Sequence, residues 1–206
     1  MMNDFLSEGP RDSGLRFVLA HGAGSGMRTP FMAAVSRALG AEGIEVVRFE
    51  FPYMKSGRKA PDREPVLLET WRSVVEQLGG GSGLVIGGKS MGGRIGSMVA
   101  DEVGARGLVC LGYPFHPPGK PETLRTAHLE AITTPTLIVQ GTRDAFGTPL
   151  DVAGYKLSSA IRIEWIQDAD HSLKQRSKKV GSEEENLRQA VSAMTTFIKG
   201  PPSRIA

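Results

Sequence analysis

From residue 16 onward, short apolar runs alternate with segments in which apolar residues recur every third or fourth position. Unbroken apolar runs suit strands covered on both faces, and the helical spacing between them suits crossover helices, so the pattern predicts parallel βαβ units. It places strands over residues 17–20, 44–49, 84–86, 108–111, 136–140 and 161–166. Helices are predicted from about 30 to 39, 64 to 78, 91 to 103, 149 to 157 and 183 to 198. Glu183, Glu184 and Glu185 put favourable negative charge in the first turn of the last helix, with Ser182 as its cap. About six strands and nearly as many helices make a three-layer α/β/α sandwich on a mostly parallel sheet.

The 206 residues form one expected domain, with residues 1–13 and 200–206 loosely ordered. Apolar content of 40% and charged content of 23% are those of an ordinary globular protein. The net charge of +3 comes from scattered lysines and arginines, which argues against nucleic-acid binding. The start of the chain lacks a cationic, apolar secretory pattern, and no apolar run reaches transmembrane length. With a single cysteine, Cys110, inside an apolar run, the expectation is a cytoplasmic protein with no membrane partner; the oligomeric state is left open.

The chemistry concentrates in the run Leu84-Val85-Ile86-Gly87-Gly88-Lys89-Ser90-Met91-Gly92-Gly93-Arg94. Gly88, Ser90 and Gly92 fit G-x-S-x-G, where a serine sits on a sharp strand-to-helix turn that only small neighbours tolerate. A serine hydroxyl alone is a poor nucleophile, so it needs a base, an acid to orient that base, and oxyanion donors. Asp144 follows the strand at 136–140 and His171 follows the next strand, giving the chain order Ser90, Asp144, His171. The backbone N–H groups of Met91 and of Ala23, with Gly22 as fallback, are the expected oxyanion donors. Tyr113, Phe115 and His116 follow a strand's carboxyl end, where open α/β sheets bind ligands, and are candidate substrate contacts. His21 reads as a structural residue of its glycine turn. Asp168, Asp170, Lys89, Arg94 and the basic loop at 55–59 read as solvated charges.

These motifs, His21-Gly22-Ala23-Gly24, Gly88-Lys89-Ser90-Met91-Gly92-Gly93-Arg94, Gly141-Thr142-Arg143-Asp144 and Asp170-His171-Ser172, make the chain resemble the α/β-hydrolase superfamily. More narrowly, they are similar to its small, capless KANL3/Tex30-like group, related to dienelactone hydrolases. The resemblance covers nearly the whole chain and implies a fold lacking the first hairpin and a lid. It also implies hydrolysis of a small-molecule ester, thioester or lactone, with no metal or organic cofactor. A hydrolase-like binding scaffold with little catalytic activity is the alternative.

Overall fold

The computed structural model describes residues 4–175 and 183–200. Its centre is a seven-stranded sheet in the order β1-β3-β2-β4-β5-β6-β7. The strands are β1 (Leu6–Glu8), β2 (Arg16–Ala20), β3 (Glu45–Phe49), β4 (Leu84–Lys89), β5 (Gly107–Leu111), β6 (Thr136–Gly141) and β7 (Ile161–Ile166). All neighbouring pairs are parallel except β1 with β3.

Alternation within each strand supplies both covering layers. Phe17 and Leu19 point to one face, where Val85, Val109 and Val139 join Met32, Val35 and Leu39 of α1 (Pro30–Ala41) and Met194 and Ile198 of α6 (Glu183–Lys199). Val18 and Ala20 point to the other, where Ile86, Cys110 and Ile138 meet Trp71 and Val74 of α3 (Glu64–Gln77) and Ile95 and Val99 of α4 (Met91–Val99). Each fully buried Leu, Ile or Phe stabilises the fold by about 1.5–3 kcal/mol. Pro30 and Pro65 occupy the first turns of α1 and α3, where a missing N–H costs nothing. Two short helices, α2 (Pro52–Lys55) and α5 (Pro149–Val152), complete the set, and α5 starts at a capping box made by Thr148 and Asp151.

Three expectations change. The stretch at 4–13 is not loose throughout, because β1 adds an antiparallel edge strand to β3. Glu8 Oε2 accepts from Arg48 Nη2 at 2.8 Å, and β3's open edge gives the segment hydrogen-bonding partners. One strand therefore stands where the sequence left no room for a hairpin. The elbow helix ends at Val99 rather than 103, and the helix predicted over 149–157 shrinks to α5, followed by a turn in which Gly154 N–H donates to Asp151 O. Ser182 and residues 1–3 and 201–206 lie outside the described residues. Among those described, no helix is long and apolar enough to cross a membrane.

Strand β2 lies between β3 and β4; the connection leaving β2 runs to β3 on one side, while the connection leaving its neighbour β4 runs to β5 on the other. A crevice forms at the carboxyl ends of strands where such connections diverge, and β2 and β4 both deliver glycine-rich turns there.

Candidate active site

Ser90 occupies the corner between β4 and α4 at φ 50° and ψ −116°, a conformation that costs a non-glycine residue about 1–3 kcal/mol. The surrounding fold holds it there. Its N–H donates to Leu111 O at 3.0 Å, its carbonyl accepts from Arg94 N–H at 3.0 Å, and the Trp71 indole N–H donates to Gly92 O at 3.2 Å. The flanking glycines are sterically required: a Cβ on Gly88 would lie 2.4 Å from Ala20 O, and one on Gly92 2.6 Å from His21 O.

Strands β6 and β7 bring the other two chemical groups to this corner. Asp144, fully buried, sits on the turn after β6, where Asp144 N–H donates to Gly141 O at 3.1 Å. Its Oδ1 accepts from Phe146 N–H at 2.8 Å, and its Oδ2 accepts from Gln140 Nε2 at 2.9 Å and from His171 Nδ1 at 2.7 Å. Those bonds hold the imidazole with Nε2 toward Ser90, whose Oγ–H donates to it across 2.8 Å. The Phe146 ring packs on the imidazole at a centroid distance of 4.2 Å. Gln140, read from sequence only as the end of a strand, ties the acid to the neighbouring loop: its Oε1 accepts from Tyr113 N–H at 2.7 Å and its amide donates to Gly147 O at 3.2 Å.

The neighbouring acids are partly exposed and also hydrogen-bonded. Asp170 Oδ1 accepts from the N–H groups of Ser172 and Lys174, at 2.8 and 3.0 Å, and so shapes the His171 turn. Asp168 pairs with Arg143 at 3.0 Å. Lys89 departs furthest from its reading as a surface charge, for its Nζ donates to His171 O at 2.5 Å and anchors the loop carrying the imidazole. Part of its side chain still reaches solvent, yet burial pulls the ammonium down to about 8 against the opposing pull of Asp144 and Asp170. Gly112 makes room for this contact, since a Cβ there would lie 2.8 Å from both Lys89 Nζ and His171 O.

On the β2 side, buried His21 clamps the glycine turn. Its Nδ1–H donates to Gly22 O at 2.9 Å and its Nε2 accepts from Phe51 N–H at 3.1 Å, an arrangement that needs the neutral imidazole. Burial accordingly lowers its pKa. Ala23 and Met91 border the same cavity as Ser90, and the Met91 N–H, in the first turn of α4, has no acceptor within the helix. This cavity, about 370 Å³, is also lined by Arg94, Arg125 and Phe146. A larger depression of about 480 Å³ between α1 and α6 contains none of Ser90, Asp144 and His171.

The candidate contacts Tyr113, Phe115 and His116 are corrected by the structure. All three are buried away from the cavity, with exposures of 0%, 0% and 4%. Tyr113 OH donates to Arg125 O at 3.1 Å, Phe115 packs between Tyr113 and Tyr155, and the His116 Nδ1–H donates to Pro117 O at 2.9 Å. Large rings beside a strand end gain more by joining the core than by lining an open cleft, and here they leave Pro114 to face Ser90. Arg125 reaches the cavity because its loop folds back, its N–H donating to Phe115 O at 2.8 Å; no local motif announces that return. Among the described residues, no group of three His, Cys, Asp or Glu is arranged to hold a metal ion.

The family model for the alpha/beta hydrolase domain matches residues 13–199. Among solved structures, an α/β serine hydrolase without a lid from Xanthomonas campestris is 17% identical, with a TM-score of 0.72 over 97% of this chain and 91% of that one. The monoacylglycerol lipase of Paleococcus ferrophilus, also 17% identical, has a TM-score of 0.71 over 95% and 99% of the two chains. Est1E of Butyrivibrio proteoclasticus, in its ferulic acid complex, is 14% identical and has a TM-score of 0.69 over 96% of each.

Proposed function

We infer that this chain, which belongs to the alpha/beta hydrolase domain family, is a serine hydrolase cleaving a small ester, thioester or lactone through an acyl-enzyme. The observation that carries this reading is the unbroken hydrogen-bond chain from Ser90 Oγ to His171 Nε2 and from His171 Nδ1 to Asp144 Oδ2, at 2.8 and 2.7 Å. In the proposed reaction Ser90 Oγ attacks the carbonyl carbon while His171 Nε2 takes its proton. The N–H groups of Met91 and Ala23 hold the oxyanion, and His171 passes the proton to the departing oxygen or sulfur. Water then enters by the same route, its proton going to His171 and back to Ser90 as the acid leaves. Asp144 keeps the imidazole oriented and stabilises its charged form.

A cavity of about 370 Å³ lies near the lower end for small-molecule sites and supports a small substrate. Within the family, the Gly88-Lys89-Ser90-Met91-Gly92-Gly93-Arg94 motif supports the small, lidless KANL3/Tex30-like group.

The test is hydrolysis of para-nitrophenyl acetate and butyrate by the natural protein and by Ser90→Ala, with a fluorophosphonate probe as a second readout. Turnover and labelling confined to the natural protein are expected. Equal turnover by both would remove Ser90 from the mechanism, and a folded natural protein that neither turns over nor takes the label would be a binding scaffold.

A further inference from the structure

One charge in the Ser90 cavity has no partner among the described residues. Asp62, Glu64, Arg94 and Arg125 all line it. Arg94 Nη1 donates to Glu64 Oε2 at 3.0 Å, and Arg58 Nη2 donates to Asp62 Oδ1 at 2.7 Å. The second oxygen of Asp62 is sealed from solvent and offers nothing to the cavity. Both acids are thus matched by other arginines. The guanidinium of Arg125 has no hydrogen bond or ion pair to any described residue.

Its backbone, by contrast, is fixed on both sides: the N–H donates to Phe115 O at 2.8 Å, and the carbonyl accepts from the buried Tyr113 hydroxyl at 3.1 Å. The side chain is half-buried, and both partial burial and the proximity of Arg94 push its pKa below the ordinary arginine range. It nevertheless stays protonated at neutral pH, as a guanidinium does. A surface arginine with no role would turn into water, away from a second cation. This one borders the cavity that holds the nucleophile, partly stripped of water, with five donors unused.

Resting on the reading of Ser90 as nucleophile, we propose that Arg125 determines specificity by binding a free carboxylate on the substrate, which is an ester or thioester carrying one such group. A single unmatched positive charge suits a monoanion, and the planar guanidinium fork suits a carboxylate's two oxygens.

The experiment compares para-nitrophenyl half-esters of succinic, glutaric and adipic acids with the neutral para-nitrophenyl esters of the same acyl length. In parallel, para-acetoxybenzoate is compared with phenyl acetate, which moves the carboxylate to the alcohol side. The expected result is a higher kcat/KM for the carboxylated member of at least one series, by about tenfold to a hundredfold, as for a charge-assisted pair. That preference should collapse in Arg125→Gln and be partly retained in Arg125→Lys, with thermal unfolding showing that both variants are folded. No preference in either series, or a preference unchanged in a folded Arg125→Gln, overturns the proposal. Hydrolysis that persists in Ser90→Ala would instead sink the parent reading, so the two failures are distinct.

Discussion

Replacing Lys89 with methionine should make the protein more stable and less active. The ammonium is held at about 8, roughly two and a half pH units below its ordinary 10.5, so the charged form costs the folded state about 3 kcal/mol at 1.36 kcal/mol per unit. Methionine fills a similar volume without that penalty but leaves His171 O without its donor, a loss of about 1 kcal/mol. The net gain at pH 7 is about 2 kcal/mol, or about 4–8 °C in Tm for a chain of this length. The pH dependence has a definite sign. Between about pH 8 and 10.5 the unfolded chain binds a proton that the folded chain has released, so the natural protein gains stability as pH rises through that window. Below about pH 8 both states are protonated and the penalty is constant, so the advantage of methionine is largest there and disappears by about pH 10.5. Activity should move the opposite way. Without the ammonium the His171 loop loses its anchor, and a displacement of about 1 Å can cost a hundredfold in rate. In the natural protein kcat should fall as pH rises past about 8, while Lys89→Met should be slower throughout and lack that limb. Tm and kcat are measured for both proteins from pH 6.5 to 10.5. A variant that melts lower at pH 7, a natural protein whose Tm falls between pH 8 and 10, or identical alkaline limbs in the two activity profiles would refute the reasoning.

Asp144→Asn should keep the fold but slow para-nitrophenyl ester turnover by about four orders of magnitude, because an amide cannot hold the His171 tautomer in place; steady-state kinetics beside a thermal melt check this. Gly92→Ala should destabilise the protein by about 1–3 kcal/mol, read from urea midpoints, because its methyl would lie 2.6 Å from His21 O. Protonating His21 would set its Nε2 against the Phe51 N–H. Because burial lowers its pKa, the neutral form's contribution is complete above the unfolded value of 6.5 and is lost as pH falls from there toward the folded value. The drop in urea midpoint between pH 7.5 and 5.5 should therefore be smaller in His21→Gln than in the natural protein, and equal drops would contradict the assignment.

What the chain order determined is the periodic part of the molecule. Strands β2 through β7 and the longer helices follow from apolar runs and three-to-four spacing, because those periods are local rules that the backbone obeys wherever one face is buried. The positions of Ser90, Asp144 and His171 at strand ends were legible for the same reason, since parallel strands deliver all their carboxyl ends to one edge. The tertiary structure alone decided the rest. Strand β1 forms because β3 offers an open edge and Arg48 a counter-charge, neither of which is adjacent in sequence. Tyr113 and Phe115 turn into the core while Arg125, ten residues beyond Phe115, comes back to the cavity. Lys89 belongs to the same class: beside Ser90 it reads as a solvated charge, and it becomes an anchor because the His171 carbonyl arrives from 82 positions away. In irregular loops the direction of a side chain is set by whichever distant surface it packs against, and only the assembled fold supplies that surface.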